Sequence, residues 1–158
     1  MTHSTPESRG GATGALVAVF VPGRPVTQGS MRVLSRGRMT HDNPRLRGWR
    51  KAVGWMARSA LGAQPPTDDA VVVRCHFCLA PTRRSDAPDL DKLVRAVLDA
   101  LTGVVFTDDK QVVALDARRT MAWSAREVRL FEAEVARLAP GTPLDAIPEG
   151  VLLVVERA

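Results

Sequence analysis

Apolar and polar positions along this chain fall into two periods, and the switches between them lay out its elements. Residues 15–21, Ala-Leu-Val-Ala-Val-Phe-Val, form a short apolar run closed by Pro22-Gly23, which predicts a strand. Residues 31–39 read as a weak strand or hairpin arm, with turn chemistry at Ser35-Arg-Gly-Arg38. Asn43-Pro44 opens a helix running to Leu61, in which Leu46, Trp49, Val53, Met56 and Ala60 share one face. A linker with Pro65-Pro66 follows. Residues 70–80 give the clearest strand: Val71, Val73, Cys75, Phe77 and Leu79 fall on one side, Arg74, His76 and Cys78 on the other.

The second half repeats this alternation of strand and helix. Residues 89–101 carry a broad apolar stripe of Leu90, Leu93, Val94, Val97, Leu98 and Leu101, ended by Gly103. Residues 111–120 predict a strand. Ser124-Ala-Arg-Glu127 is a capping box that starts a helix to Leu138, with Val128, Phe131, Val135 and Leu138 inward. Residues 151–156 predict a closing strand. The order strand, basic hairpin, helix, strand, helix, strand, helix, strand gives one α/β (α+β) domain over residues 15–158, a mixed sheet flanked by helices. Residues 1–14 are polar and Gly-rich without a signal-peptide layout, and are expected to be a disordered lead-in. No stretch reaches the apolar length of a membrane span, so the expected location is cytoplasmic.

Charge changes the picture. The chain of 158 residues carries a net +5. Arg24, Arg32, Arg36, Arg38, Arg45, Arg47, Arg50 and Lys51 stand against one acid, Asp42, in a single block. Such a block attracts polyanions through counterion release. Gly23-Arg-Pro-Val-Thr-Gln-Gly-Ser30 is no phosphate-binding loop, because its glycines are wrongly spaced and the required Lys is missing. Cys75 and Cys78 form Cys-x-x-Cys, but on a strand residues three apart face opposite sides, so buried reduced thiols are expected rather than a metal pair. His76 reads as a satisfied structural histidine.

Against this basic background, acids gather at Pro88-Asp-Leu-Asp-Lys92 and Thr107-Asp-Asp-Lys110. Like charges raise the cost of ionising one another, and a divalent cation with oxygen ligands is the usual compensation. Asp89 sits where a helix N-cap belongs and Asp91 in the first turn, both ordinary structural places for Asp. Asp91, Arg95 and Asp99 are four apart and share one polar face. Whether Asp109 meets Asp89 and Asp91 depends on the fold. A calcium loop is excluded: after Asp89 the sixth position lacks Gly and the twelfth lacks Glu. Carboxylate-held Mg²⁺ and a nearby cation such as Arg95 are the groups phosphodiester hydrolysis needs.

The segment Pro88-Asp-Leu-Asp-Lys-Leu-Val-Arg-Ala-Val-Leu-Asp-Ala-Leu-Thr-Gly-Val-Val-Phe-Thr-Asp-Asp-Lys-Gln-Val-Val113 resembles the signature of the RusA family of Holliday-junction resolvases. Weaker similarity covers roughly residues 15–120. The resemblance implies a small α/β homodimer, often phage- or prophage-encoded, that binds branched DNA and nicks paired strands at four-way junctions in a Mg²⁺-dependent reaction. Mn²⁺ is expected to substitute. It implies metal ligands at Asp89, Asp91 and Asp109, with Arg95 in the place of the family's catalytic lysine. Two departures stand out. Lys92 replaces the usual Asn, and Arg95 keeps the charge of lysine but not its capacity to give up a proton. Arg32, Arg36 and Arg38 are the expected DNA phosphate contacts, with Lys110 near the metal site and Lys92 a further DNA contact. Three readings follow: a junction-cutting endonuclease in recombination and repair, a catalytically impaired junction-binding protein on the same scaffold, and a regulator whose acidic patch meets a basic partner. The basic block argues against the third.

Overall fold

The computed structural model describes residues 14–29, 32–34, 38–40 and 43–158. The expected N-terminal lead-in lies, except for Gly14, outside the described residues. Among the described residues, six strands and three α-helices follow in the anticipated order. Strand β1 spans Ala15–Pro22, β2 Arg32–Leu34, β3 Arg38–Thr40, β4 Val71–Leu79, β5 Val112–Met121 and β6 Gly150–Arg157. Helix α1 spans Pro44–Leu61, α2 Leu90–Leu101 and α3 Ala125–Leu138. Strands β2 and β3 form a separate antiparallel hairpin.

The main sheet has the order β1-β6-β4-β5. β6 runs antiparallel to both β1 and β4, while β4 and β5 are parallel. The parallel pair needs a crossover, and α2 supplies it. The sheet is therefore mixed. Gly150 opens β6 where strands close in: a Cβ there would come within 2.2 Å of the Val21 carbonyl oxygen. Its φ of +154° is also open to glycine at no steric cost.

Two cores form, one on each face of the sheet. On one face, α1 and α2 cover Val71, Val73, Cys75 and Phe77 of β4 together with Val151, Leu153 and Val155 of β6. On the other, α3 sets Phe131 and Val135 against Phe20, Cys78 and Leu152. Phe131 meets Phe20 edge-on, with ring centroids 5.9 Å apart. Each face follows the alternation of β4. Asn43 caps α1, its Oδ1 accepting the Arg45 N–H, and Pro44 fills the first turn, where no N–H is needed. The buried stripe of α1 is Leu46, Trp49, Val53, Ala57 and Leu61, so Ala57 and Leu61 take the places expected for Met56 and Ala60. Met56 packs only partly against the core, and Ala60 is exposed.

Both cysteines are free and buried, as expected. Burial pushes the Cys75 thiol up to about 12, helped by Asp116, and the Cys78 thiol up to about 11, helped by Glu149 and Glu132. Neither is a thiolate near neutral pH. His76 is tied at both nitrogens: Nδ1 lies 2.6 Å from Glu134 Oε2 and Nε2 2.7 Å from Thr120 Oγ1. The half-buried imidazole thus joins β4, β5 and α3.

β5 differs from the other strands of this sheet. One edge pairs with β4, and among the described residues no strand lies beside the other. Val113 and Leu115 are 62% and 47% exposed. None of the described helices is long and apolar enough to cross a membrane.

Candidate active site along helix α2

Helix α2 begins at an aspartate that does not cap it. Asp89 has extended backbone at the N-cap position, but its side chain makes no capping hydrogen bond. Its carboxylate instead meets Lys92 Nζ at 3.1 Å. Asp91 follows in the first turn, exposed, where the positive end of the helix dipole favours an anion. One and two turns on, Arg95 and Asp99 continue the same exposed face.

These side chains line a groove of about 610 Å³ between α2 and β5. Its polar rim is Asp91, Arg95, Asp99 and Asp109, and its apolar lining comes from Leu90, Val94 and Leu98 of the helix with Leu115 and Ala117 of the strand. Arg50 of α1 closes one flank. Its guanidinium donates to Asp99 Oδ2 at 3.2 Å and to Gln28 Oε1 at 2.6 Å. The Gln28 N–H donates to the Lys92 carbonyl at 3.2 Å. The loop after β1 is thereby fastened to the start of α2.

Asp108 and Asp109 do different things. Asp108 caps a 3₁₀ turn, Asp109–Gln111, with Oδ1 accepting the Lys110 N–H at 2.9 Å. Gln111 completes the box: its Oε1 accepts from the N–H groups of Thr107 and Asp108, and its Nε2 donates to the carbonyls of Thr67 and Asp69. The Lys110 N–H holds the Asp108 carboxyl below its ordinary value, with smaller help from Asp109 and the Lys110 charge. Asp109 stands beside this clasp and lines the groove.

The expectation that Asp89, Asp91 and Asp109 converge meets the topology here. Since β4 and β5 are parallel, β5 starts at the end of the sheet where α2 finishes. The far end of β5 reaches back to the helix start, where the Arg119 guanidinium donates to the Pro88 carbonyl. From Val112 to Arg119 the strand spans about 23 Å at a strand's rise per residue. Asp109, just before Val112, and Asp89, just after Pro88, therefore lie toward opposite ends. Asp91 and Asp109 share the groove; Asp89 does not line it. Among the described residues no three His, Cys, Asp or Glu side chains are grouped to hold a metal ion. Among the described residues, the carboxylates of one chain, taken alone, are not grouped as a three-ligand divalent site.

Of the expected DNA contacts, Lys92 pairs with Asp89 and Lys110 is exposed beside Asp109. Arg36, and the side chains of Arg32 and Arg38, lie outside the described residues. Residue patterns alone did not single out Gln28, Arg50, Gln111 or Arg119 as parts of this site. For Gln111 a signal existed: Asp108-Asp-Lys-Gln111 has capping-box spacing before an apolar run. The contacts of Gln28, Arg50 and Arg119 are tertiary and have no local signature.

No curated protein matches the chain. A family model described as Endodeoxyribonuclease RusA matches residues 22–138, from the end of β1 to the end of α3 and through the whole of the α2 groove. The match takes in well over half of the chain, which belongs to the RusA endodeoxyribonuclease family.

Proposed function

We propose that this chain is an endodeoxyribonuclease that resolves four-way DNA junctions by paired strand nicks, in DNA recombination and repair in the cytoplasm. The observation that carries the reading is the groove, which Asp91, Arg95 and Asp109 all line, in a family of endodeoxyribonucleases. Nucleases of this family are generally divalent-metal dependent. Mg²⁺ is the proposed ion, with Mn²⁺ as a substitute, and its proposed ligands are Asp89, Asp91 and Asp109.

The dimer is part of the same reading. β5 offers an edge that no strand among the described residues pairs, with exposed Val113 and Leu115, and the apolar lining of the groove runs beside it. A second copy is the proposed cover. In a two-fold pairing the same surface meets itself reversed. With the two grooves antiparallel, the Asp109 end of one copy lies over the Asp91 end of the other. A carboxylate set that one chain leaves spread out is then gathered twice, once for each strand to be cut. Covering the groove also expels water around Arg95, where a fixed cation stabilises charge developing on a phosphate more strongly than in bulk solvent. Arg95 acts there as a charge and not as a proton donor.

The test is cleavage of a synthetic four-way junction with Mg²⁺ against a chelator, with linear duplex as control. Asp91→Asn is expected to bind the junction and leave it uncut. Cutting by that variant at the normal rate would remove Asp91 from the reaction. One observation favours a second reading, a catalytically impaired junction-binding protein: the Lys92 ammonium already occupies the Asp89 carboxylate. That reading gives salt-sensitive junction binding with no nicking at any Mg²⁺ or Mn²⁺ concentration.

A further inference from the structure

Trp123 is half exposed in a protein whose core-forming aromatics are hidden. It stands 46% exposed just beyond the end of β5. Its place is nonetheless fixed. The backbone N–H donates to the Met121 carbonyl at 2.8 Å, and the next residue, Ser124, begins the capping box of α3. The indole Nε1–H donates to the Thr82 carbonyl at 3.3 Å. The Arg84 guanidinium lies 5.4 Å from the ring centroid, within range of a cation–π contact. An aromatic ring held at its edge and on one face, with the remainder open, is already ordered for a stacking partner.

The ground around it is basic. Trp123 borders a cleft of about 710 Å³ that also exposes Arg118, Arg119 and Leu130. Arg83 and Arg84 rise from the loop after β4, whose two acids are Asp86 and Asp89, the latter paired with Lys92. The two acids lining the cleft are engaged. Glu127 Oε2 accepts from the Ser124 N–H and hydroxyl, and Glu134 meets His76 and Arg118. The cleft opens at the carboxyl ends of the parallel pair β4 and β5, the place where open sheets receive ligands. Arg119, which lines it, also reaches the Pro88 carbonyl at the head of α2. One arginine thus ties the cleft to the head of α2.

We infer that Trp123 is a stacking platform for an unpaired nucleobase, with the backbone phosphates beside that base held by Arg84 and Arg119. Bases present a π-face whatever their sequence, and arginines track the strand that carries them. A protein partner is the alternative occupant for an exposed Trp and Leu. The density of arginine and the engagement of both acids favour DNA. The inference rests on the nuclease reading: a four-way junction has unpaired or strained bases at its branch, beside the phosphates to be cut.

The test uses intrinsic fluorescence of the full chain with Trp55→Phe, which removes the other exposed tryptophan and leaves buried Trp49 as a constant background. Short oligo(dT) is the probe. Quenching is expected on titration, and Trp123→Ala should weaken oligo(dT) binding by on the order of ten-fold, the scale of one lost base stack. Trp123→Phe should restore most of that affinity, and binding to blunt linear duplex should change little in either variant. Equal oligo(dT) affinity for the Ala, Phe and parent chains, with no quenching, overturns the platform. Should Trp123→Ala fail to fold, quenching of the parent and the affinity of the Phe variant decide the matter. A chain that cuts junctions without quenching loses the platform and keeps the nuclease reading. A chain that is quenched by oligo(dT) but never nicks keeps the platform and loses that reading.

Discussion

Two aspartates begin helical turns in this molecule and meet opposite fates. Asp108 sits at the N-cap of a 3₁₀ turn, accepts the Lys110 N–H, and is locked by Gln111 into a reciprocal box that reaches across to Thr67 and Asp69. Asp89 sits at the N-cap of α2, a helix four times as long in residues, and caps nothing. The orphan N–H groups of a helix start normally recruit such a side chain. At α2 the carboxylate turns instead to Lys92. Residue type and position are the same, so the difference lies in what the surroundings ask of each. Where the chain must turn sharply into the edge strand β5, the acid is used up in holding the turn. Where the helix already has α1 and β5 to pack against, the acid at its head is not spent on capping. The proposed catalytic surface would be built from side chains the fold does not need for capping.

The largest effect should come from the groove. Asp91→Asn removes a charge and keeps the shape of an exposed residue, so melting should hardly move. Junction cleavage should fall by on the order of 10²–10³-fold, the scale of losing one preorganised electrostatic group. A variant that cuts normally would break the contrast, because Asp91 would then be as structural as Asp108. The next test asks whose Asp109 serves that site. Asp91→Asn and Asp109→Asn chains are each expected to be inactive alone. Refolded together at equal concentration, they should recover about a quarter of the nicking sites, since random two-fold pairing gives half heterodimers with one intact site each. If both carboxylates serve within one chain, the mixture stays dead.

The clasp should fail differently. Gln111→Leu leaves two carbonyls and the turn N–H groups without their partner. A loss of stability of about 2–3 kcal/mol is expected from several net hydrogen bonds of ordinary worth. Cleavage per folded molecule should stay close to normal, which chemical denaturation combined with an active-site titration would show. Cleavage lost without any loss of stability would move Gln111 from the clasp to the chemistry.

Much of this was legible in the sequence because it is periodic or local. The alternation in residues 71–79 assigned both faces of β4 correctly, down to His76 and Cys78 on the α3 side. Ser124 and Glu127 announced α3 by their spacing. The stripe of α1 drifted by one position at its end, because Met56 and Ala60 are as apolar as Ala57 and Leu61 and only packing chooses between them. What could not be read was direction. A strand pattern does not say which neighbour it joins or whether the two run parallel. The distance between Asp91 and Asp109 is set by that choice alone. So Asp91 and Asp109 could be proposed from the sequence, while their spread along the groove could not be read there.

The smallest effect tests the comparison at its root, through acid. The Asp108 carboxyl is held below its ordinary value of 3.8, chiefly by the Lys110 N–H. A carboxyl depressed in the folded state adds stability that is fully present above its unfolded value and fades as pH falls through the folded one. Asp108→Asn should therefore destabilise the protein modestly near neutrality and lose less on acidification, so that the two stability curves draw together below pH 3.8. Asp89→Asn breaks no capping bond, and its curve should track the parent through the same range apart from the small contribution of an exposed Lys92 pair. Urea melts at stepped pH values from neutral to strongly acid would resolve both curves. Were Asp89→Asn to show the larger convergence, Asp89 would be the cap in solution and Asp108 the freer acid, and the division between turn-holding and available carboxylates would have to be drawn the other way.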